Sequence, residues 1–132
     1  MKGFKALAIS LGLPLLSISL SMAEDCARPV ELYNRGTLSS DWSEKERLFK
    51  EALALPCKNR EILAKIHNNL ADTYEQAERL EEAIAEYRKA TGLDADLPTP
   101  YISLGDVYSR RGDLKSAGQS YEKYWQRTSL KP

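Results

Sequence analysis

The sequence predicts an all-α protein, an α-solenoid of about three helix–turn–helix units and therefore six helices. Residues 64–97 and 98–131 align as two consecutive copies that bring apolar and small side chains into register. Within each copy these positions recur at the i, i+1, i+4 spacing that places them on one face of a helix. A short polar turn separates two such stripes, so each copy is predicted to be a pair of antiparallel helices.

Both helices of the unit contribute to the match between the two copies. The matched pairs are Leu70 with Leu104, Ala71 with Gly105, Tyr74 with Tyr108, Leu80 with Leu114, Ala83 with Ala117 and Tyr87 with Tyr121. In the turn of the later copy, Gly112 suits a helix end and Asp113 suits the N-cap of the next helix.

A degenerate copy is predicted before these two, over residues 26–59. Residues 49–52 (Phe-Lys-Glu-Ala) resemble residues 87–90 (Tyr-Arg-Lys-Ala), at an offset four residues longer than the period. Four residues make about one helical turn, which we expect in the helix that Asn59 caps. Asp41 or Ser43 is expected to cap the helix before it. Projection at the longer offset aligns Gly36 with the tyrosines of the later first helices.

The pattern Leu-Gly-x-x-Tyr followed by Ala-x-x-x-Tyr, repeated at this period, resembles the tetratricopeptide repeat (TPR) family. The last copy matches best, through Tyr101, Leu104, Gly105, Tyr108, Gly112, Ala117 and Tyr121. The resemblance implies a right-handed superhelix whose concave groove is lined by the first helix of each pair. It also implies a protein-binding scaffold that needs no cofactor.

Groove positions carried over from the family are mostly polar and mildly acidic. They are Asn34, Lys65, Asn68, Asp72, Gln76, Ile102, Asp106 and Arg110, with Val30, Glu75, Thr99 and Ser109 beside them. Asn68 and Asp72 would hydrogen-bond the backbone of a bound peptide, the alternative being a simply solvated surface. A carboxylate clamp for an acidic C-terminus is not expected, because Val30, Thr99 and Ser103 stand where the cations of such a clamp belong.

The C-terminal end offers a second predicted surface. TPR arrays usually end in an extra helix that covers the last repeat, whereas this sequence stops at Pro132. Tyr121, Tyr124 and Trp125 are therefore expected on an uncovered aromatic face, suited to docking or to a homodimer. The alternative is that the residues after Trp125 fold back over that face.

The N-terminal segment, residues 1–23, differs in composition from the rest. Lys2 and Lys5 precede an apolar stretch of residues 6–20 and a Ser-Met-Ala sequence, the order of a secretory signal peptide. An uncleaved membrane anchor is the alternative. The whole chain has 19 basic and 19 acidic side chains, and cleavage after Ala23 would remove only the two lysines from that balance. The charge argues against nucleic-acid binding. The TPR-like domain would then be residues 24–132, in which no membrane span is expected.

Cys26 and Cys57 are the only cysteines in the sequence. In an oxidising compartment they are expected to form a disulfide, with free thiols as the alternative. No motif for phosphate binding, nucleophilic catalysis or zinc binding occurs. His67 is expected to be a packed helix residue rather than a catalytic or metal-binding group. The acidic residues Glu78, Glu81, Glu82 and Glu86 are interpreted as a solvated helix face.

Together these features predict a non-enzymatic interaction scaffold in the cell envelope, periplasmic or secreted, with a protein or peptide partner. No metal or cofactor is predicted. The alternative is a structural subunit of an envelope assembly, of the secretion, pilus or outer-membrane biogenesis type, without a separate ligand.

Overall fold

The computed structural model describes residues 25–129, which form six helices and, within that range, no strand. The helices are α1 (Ala27–Leu38), α2 (Trp42–Ala54), α3 (Arg60–Gln76), α4 (Leu80–Leu93), α5 (Thr99–Arg110) and α6 (Leu114–Ser129). The predicted all-α solenoid of six helices is confirmed. The predicted signal peptide, residues 1–23, lies outside the described residues.

Consecutive helices pair into three hairpins, α1 with α2, α3 with α4 and α5 with α6. Helix α2 also packs on α3, and α4 packs on α5, which stacks the hairpins in chain order. The first helices of the hairpins, α1, α3 and α5, touch one another in sequence and form an inner row. The second helices, α2, α4 and α6, form an outer row. The array therefore has two distinct long faces.

Helix ends follow the predicted capping residues. The side chains of Asp41, Asn59 and Asp113 accept hydrogen bonds from backbone N–H groups three residues later, at 2.7 to 3.1 Å. Gly112 has φ +79°, the left-handed conformation that glycine adopts without strain. Helix α3 has 17 residues, compared with 12 in α1 and in α5. The extra turn is therefore where the spacing predicted it.

One continuous core runs between the two rows. Its largest fully buried side chains are Tyr87, Phe49, Leu32, Leu48, Ile66 and Val107. Small residues sit where helices approach most closely, such as Ala83 at 0% and Ala117 at 3% exposure. The matched residues of the repeat thus form the core that holds successive hairpins together.

The predicted alignment of Gly36 with the later tyrosines is wrong. A Cβ atom on Gly36 would lie 2.6 Å from Phe49, and a Cβ atom on Gly105 would likewise overlap the ring of Tyr121. Gly36 therefore corresponds to Gly105. The error arises because α1 ends two residues after its glycine, whereas α5 ends five residues after Gly105.

Cys26 and Cys57 are joined by a disulfide, with their Cα atoms 4.8 Å apart. The bond connects the residue before α1 to the segment after α2, so it ties the two open ends of the first hairpin together. Among residues 25–129, no helix combines the length and hydrophobicity needed to cross a membrane.

Candidate functional site

The inner row carries every residue predicted to line the groove. Helix α1 provides one of them, α3 provides four and α5 provides three: Asn34; Lys65, Asn68, Asp72 and Gln76; and Ile102, Asp106 and Arg110. These side chains fall into two groups. Some line an open depression, and the others make hydrogen bonds or ion pairs within the fold.

The open part centres on a depression of about 280 Å³ between α1 and α3. Its lining brings together two predicted residues, Asn34 and Lys65, with Val30, Tyr33 and Ile62. The Tyr33 hydroxyl accepts a hydrogen bond of 3.1 Å from the side-chain amide of Asn69, which fixes the aromatic wall. The result is a mostly apolar depression with an amide and an ammonium group at its rim.

Asn68 does not present its side chain as predicted. It is only 7% exposed, because α3 lies between α1 and α5 and both neighbours cover its flanks. Its amide nitrogen lies 3.3 Å from Asn69 Oδ1 and 3.5 Å from Asp72 Oδ2. Within the described residues, Asn68 Oδ1 is the one buried side-chain polar atom without a hydrogen-bond partner.

Asp72 is likewise occupied within the fold. The hydroxyl of the fully buried Tyr87 donates to Asp72 Oδ1 at 2.5 Å and to Glu75 Oε2 at 2.8 Å. Burial raises the pKa of Asp72, although the hydrogen bond from Tyr87 partly opposes that shift. Asp72 therefore links α3 to α4 within the fold rather than presenting a free carboxylate to a ligand.

The same contact recurs one repeat later. The Tyr121 hydroxyl donates to Asp106 Oδ1 at 2.7 Å, and these two residues are the repeat equivalents of Tyr87 and Asp72. In the first hairpin Phe49 replaces the tyrosine, and Thr37, next to Gly36, replaces the aspartate. The first hairpin thus lacks both the donor hydroxyl and the acceptor carboxylate, so no carboxylate at this position is left without a hydrogen-bond partner.

Arg110 links neighbouring hairpins along the inner row. Its guanidinium group lies 3.1 Å from Glu75 and 2.5 Å from Glu78, so α5 is held against the end of α3. Gln76 is exposed and Ile102 is half-buried. Because one arginine faces two glutamates, with Asp106 nearby in sequence and exposed, this half of the inner face is acidic.

The three predicted end-face aromatics do not share one surface. Trp125 is 62% exposed, and its ring packs edge-on against that of Tyr124 at 5.3 Å between centroids. Tyr121 instead turns toward α5, because Gly105 leaves room for its ring and Asp106 accepts its hydroxyl. The exposed apolar surface of α6 is therefore formed by Trp125 and by Leu114, which is 72% exposed.

His67 is packed, as predicted, but its partner was not foreseen. Its Nδ1 atom lies 2.5 Å from Glu86 Oε2, and Lys89 lies 2.6 Å from the other oxygen of that carboxylate. Burial alone would raise the pKa of Glu86; hydrogen bonds from His67 and Lys89 outweigh burial and lower it. The interpretation of Glu86 as solvated is thus wrong, since it is 9% exposed.

Metal binding finds no support in the described part of the chain. Residues 25–129 contain no group of three or more His, Cys, Asp or Glu side chains placed to hold an ion. The carboxylates that do cluster, such as Asp72 and Glu75, are held by the hydroxyl of Tyr87 instead.

Residues 71–112 match the family model described as TPR repeat. Comparison with curated proteins gives no match. Among solved structures, a chain of the CopN-Scc3 complex is similar, with a TM-score of 0.69 and 19% identity. That alignment covers 79% of this chain and 61% of the other, so this chain spans less than two thirds of that relative.

Two further solved structures have the same fold. One is described as the second TPR of Spaghetti (RPAP3) bound to HSP90 peptide SRMEEVD, with a TM-score of 0.68, 19% identity and coverage of 75% of this chain and 91% of that chain. The other is PcrH in complex with the chaperone binding region of PopB, with a TM-score of 0.63, 16% identity and coverage of 85% and 84%. The match over residues 71–112 and the three stacked hairpins show that this chain contains a TPR repeat and has the fold of the TPR structures to which it is similar.

Proposed function

We propose that this protein is a non-enzymatic adaptor that binds an extended segment of a partner protein on its inner face. We further propose that it works in the cell envelope, periplasmic or secreted, after cleavage of residues 1–23. The disulfide between Cys26 and Cys57 supports an oxidising location. N-terminal sequencing of the protein recovered from the exported fraction tests this location, and recovery of uncleaved protein from the cytosol would contradict it.

The observation that carries the binding proposal is the depression between α1 and α3. Val30, Tyr33 and Ile62 form its walls, and Tyr33 and Ile62 pack against the core beneath them, so the site is formed before a ligand arrives. An apolar side chain of the partner would fill it. Asn34 at the rim has a donor and an acceptor for the backbone of that partner. Burying one such side chain is worth about 1.5–3 kcal/mol.

Charge along the rest of the inner face favours a basic partner segment. Glu75 and Glu78 share a single guanidinium group, that of Arg110. Asp106 adds an exposed carboxylate on α5. Since cations in the partner would meet an excess of carboxylates here, we expect an apolar anchor followed by lysine or arginine.

Structures with this fold support binding of a partner segment, because two of the similar proteins hold one: an HSP90 peptide in one case and the chaperone binding region of PopB in the other. The acidic end of the first peptide, Glu-Glu-Val-Asp, would not suit the acidic half of this inner face. The partner of the present protein is therefore expected to differ in charge from that peptide.

Selection of random peptides on the purified protein, followed by titration of the best binder, tests the proposal. Val30→Glu, which places a carboxylate in the depression, should weaken binding at least about tenfold, the loss of one buried apolar contact. Leu38→Glu is the matched control, because Leu38 lies on the same helix, is 86% exposed and lies outside the depression. Equal affinities of both variants, with unchanged circular dichroism, would refute inner-face binding.

A second candidate function is that of a structural subunit that assembles through α6. It is favoured by the exposed Trp125 and Leu114, large apolar side chains on one terminal helix. Light scattering at rising concentration should show association that Trp125→Ala abolishes. Trp42→Ala is the control, because Trp42 is 49% exposed at the opposite end of the array. A wild-type protein that stays monomeric would exclude self-assembly through this face.

A further inference from the structure

A second cleft lies on the outer side of the array, away from the inner face. It has a volume of about 460 Å³ and separates α4 from α6, with α5 as its floor. Tyr101, Leu104 and Tyr108 form that floor. The walls carry hydroxyl, amide and cationic groups from Thr91, Ser116, Gln119, Ser120, Arg88 and Lys123.

The corresponding junction one repeat earlier, between α2 and α4, is occupied by ion pairs. Three carboxylates belong to it, those of Glu46, Glu82 and Glu86. Their pairs have separations of 2.5 to 2.8 Å and are Lys50–Glu46, Arg79–Glu46, Arg79–Glu82, His67–Glu86 and Lys89–Glu86. Every carboxylate at this earlier junction thus meets a cationic or imidazole group of the same chain.

The carboxylates are missing from the later junction. At the offset of the two regular copies, Glu82 becomes Ser116 and Glu86 becomes Ser120. In the register that aligns Phe49 with Tyr87, Glu46 becomes Ile84. The nearest remaining acid in sequence, Asp113, accepts the N–H of Ser116 at 3.1 Å as the cap of α6.

Two of the cations, in contrast, are retained, whereas Arg79 and His67 become Asp113 and Tyr101. Lys50 corresponds to Arg88, and Lys89 corresponds to Lys123. Neither Arg88 nor Lys123 lies in an ion pair among residues 25–129, whereas Lys50 and Lys89 both do. The outer cleft therefore keeps two positive side chains in the places where its predecessor neutralises them, with two serines in place of the glutamates.

We propose that this outer cleft binds an acidic segment of a partner protein, whose carboxylates take the places that Glu82 and Glu86 occupy one repeat earlier. Arg88 and Lys123 would pair with those carboxylates, while the side-chain amide of Gln119 would donate a hydrogen bond. A carboxylate is the natural ligand because the same framework already holds carboxylates in the earlier junction. The site is separate from the inner face and from the predicted end face.

Titration of the purified protein with hexaglutamate, followed by NMR, tests this site. The expected result is a set of shifts confined to Arg88, Gln119, Lys123 and their neighbours, with hexaglutamine as the neutral control. Arg88→Ala and Lys123→Ala should each weaken binding about two- to fivefold, the range for a solvent-exposed ion pair. Both residues are exposed, so neither substitution should disturb the fold.

Variants that place carboxylates of the protein itself in the cleft provide a sharper test. Ser120→Glu and Ser116→Glu restore the carboxylates of the earlier junction, and we expect the double variant to lose hexaglutamate binding about tenfold or more. Gly118→Glu adds one carboxylate on α6 where a new side chain meets open space, and it should leave binding nearly unchanged, whereas Ser116→Glu or Ser120→Glu alone, with the same single added charge, should weaken it. Equal losses in the two cases, shifts on the inner face, or no binding by the wild type would overturn the proposal. Tighter binding of inorganic phosphate than of hexaglutamate at the same residues would overturn the choice of carboxylate.

Discussion

Replacing Tyr87 with phenylalanine removes one hydroxyl from the centre of the array and leaves the ring in place. The hydroxyl is buried and donates to two carboxylates of α3, at 2.5 Å to Asp72 and 2.8 Å to Glu75. Tyr121→Phe removes the repeat-related hydroxyl, which donates at 2.7 Å to Asp106 alone. The two substitutions are chemically identical and differ only in burial and in the number of acceptors.

We expect Tyr87→Phe to cost about 2–3 kcal/mol of unfolding free energy. A half-buried carboxylate that loses its donor bears a desolvation penalty of about 1–3 kcal/mol. The nearest other donor, the Asn68 amide, is 3.5 Å from Asp72 and too distant to compensate. Tyr121→Phe should cost only about 0.5–1 kcal/mol, since water can solvate the exposed Asp106.

Urea unfolding of the two variants beside the wild type measures this difference. The unfolding free energy at alkaline pH gives a second test. Burial raises the pKa of Tyr87 far above 10.0, and the adjacent Asp72 raises it further. The unfolded chain loses that proton near pH 10 while the folded chain keeps it, so the wild type loses stability as the pH rises above 10. Tyr87→Phe lacks this loss, and its deficit should shrink there.

Equal costs for Tyr87→Phe and Tyr121→Phe would refute the reasoning, because they would show that burial of the acceptor has no effect. A deficit that stays constant from pH 8 to pH 11 would separately refute the assignment of a suppressed ionisation to Tyr87.

Three further predictions concern the disulfide, a glycine and a carboxylate. Cys26→Ala with Cys57→Ala opens a bridge between residues 31 apart and should lower the unfolding free energy by about 3–4 kcal/mol in urea, a loss that reduction of the wild type should reproduce. Gly105→Ala should destabilise by about 1–3 kcal/mol because its methyl group meets the Tyr121 ring, whereas Gly118→Ala, in open space, should stabilise by up to about 1 kcal/mol; thermal melts of both variants decide. Glu86→Gln should be less stable than the wild type at pH 7, and because the folded-state pKa of Glu86 is lowered, this difference should shrink progressively as the pH falls from 4.5 through that folded-state pKa; a difference that does not shrink below pH 4.5 would contradict it.

Features with a local cause could be predicted from the sequence. The caps at Asn59 and Asp113 depend on a side chain and a backbone group three residues apart, so the sequence contains both partners. The helical stripes and the extra turn of α3 follow from spacing along one element. These predictions needed no knowledge of how hairpins stack.

Features that join different helices were predicted poorly. Glu86 belongs to a run of acidic residues whose composition predicts a solvated helix face. It is nevertheless buried, because His67 on the neighbouring helix pairs with it. Tyr121 was assigned to the same face as Trp125, but Gly105 on α5 draws its ring inward. In each case the deciding residue lies on the other helix of the hairpin and becomes a neighbour only after the hairpin closes.

The wrong alignment of Gly36 shows most clearly why equivalent positions could not be found from the sequence. Projection at the longer offset placed Gly36 on the later tyrosines, whereas α1 is shortened at its C-terminus and Gly36 meets Phe49 instead. A glycine facing an aromatic ring is the feature that the first and last hairpins share. The contact between helices, rather than the count of residues along the chain, therefore defines equivalent positions.

The three hairpins keep one framework and differ in the polar groups placed upon it. The first lacks the tyrosine–carboxylate hydrogen bond and carries the disulfide. The middle hairpin, with neighbours on both sides, has the buried tyrosine bound to two carboxylates and shares the network of ion pairs with α2. The last retains the hydrogen bond in exposed form, and its Lys123 lines an open cleft together with Arg88 of the middle hairpin. The cleft between the middle and last hairpins thus keeps two cations without an ion-pair partner among residues 25–129, and it is the surface that we propose for a partner's carboxylates.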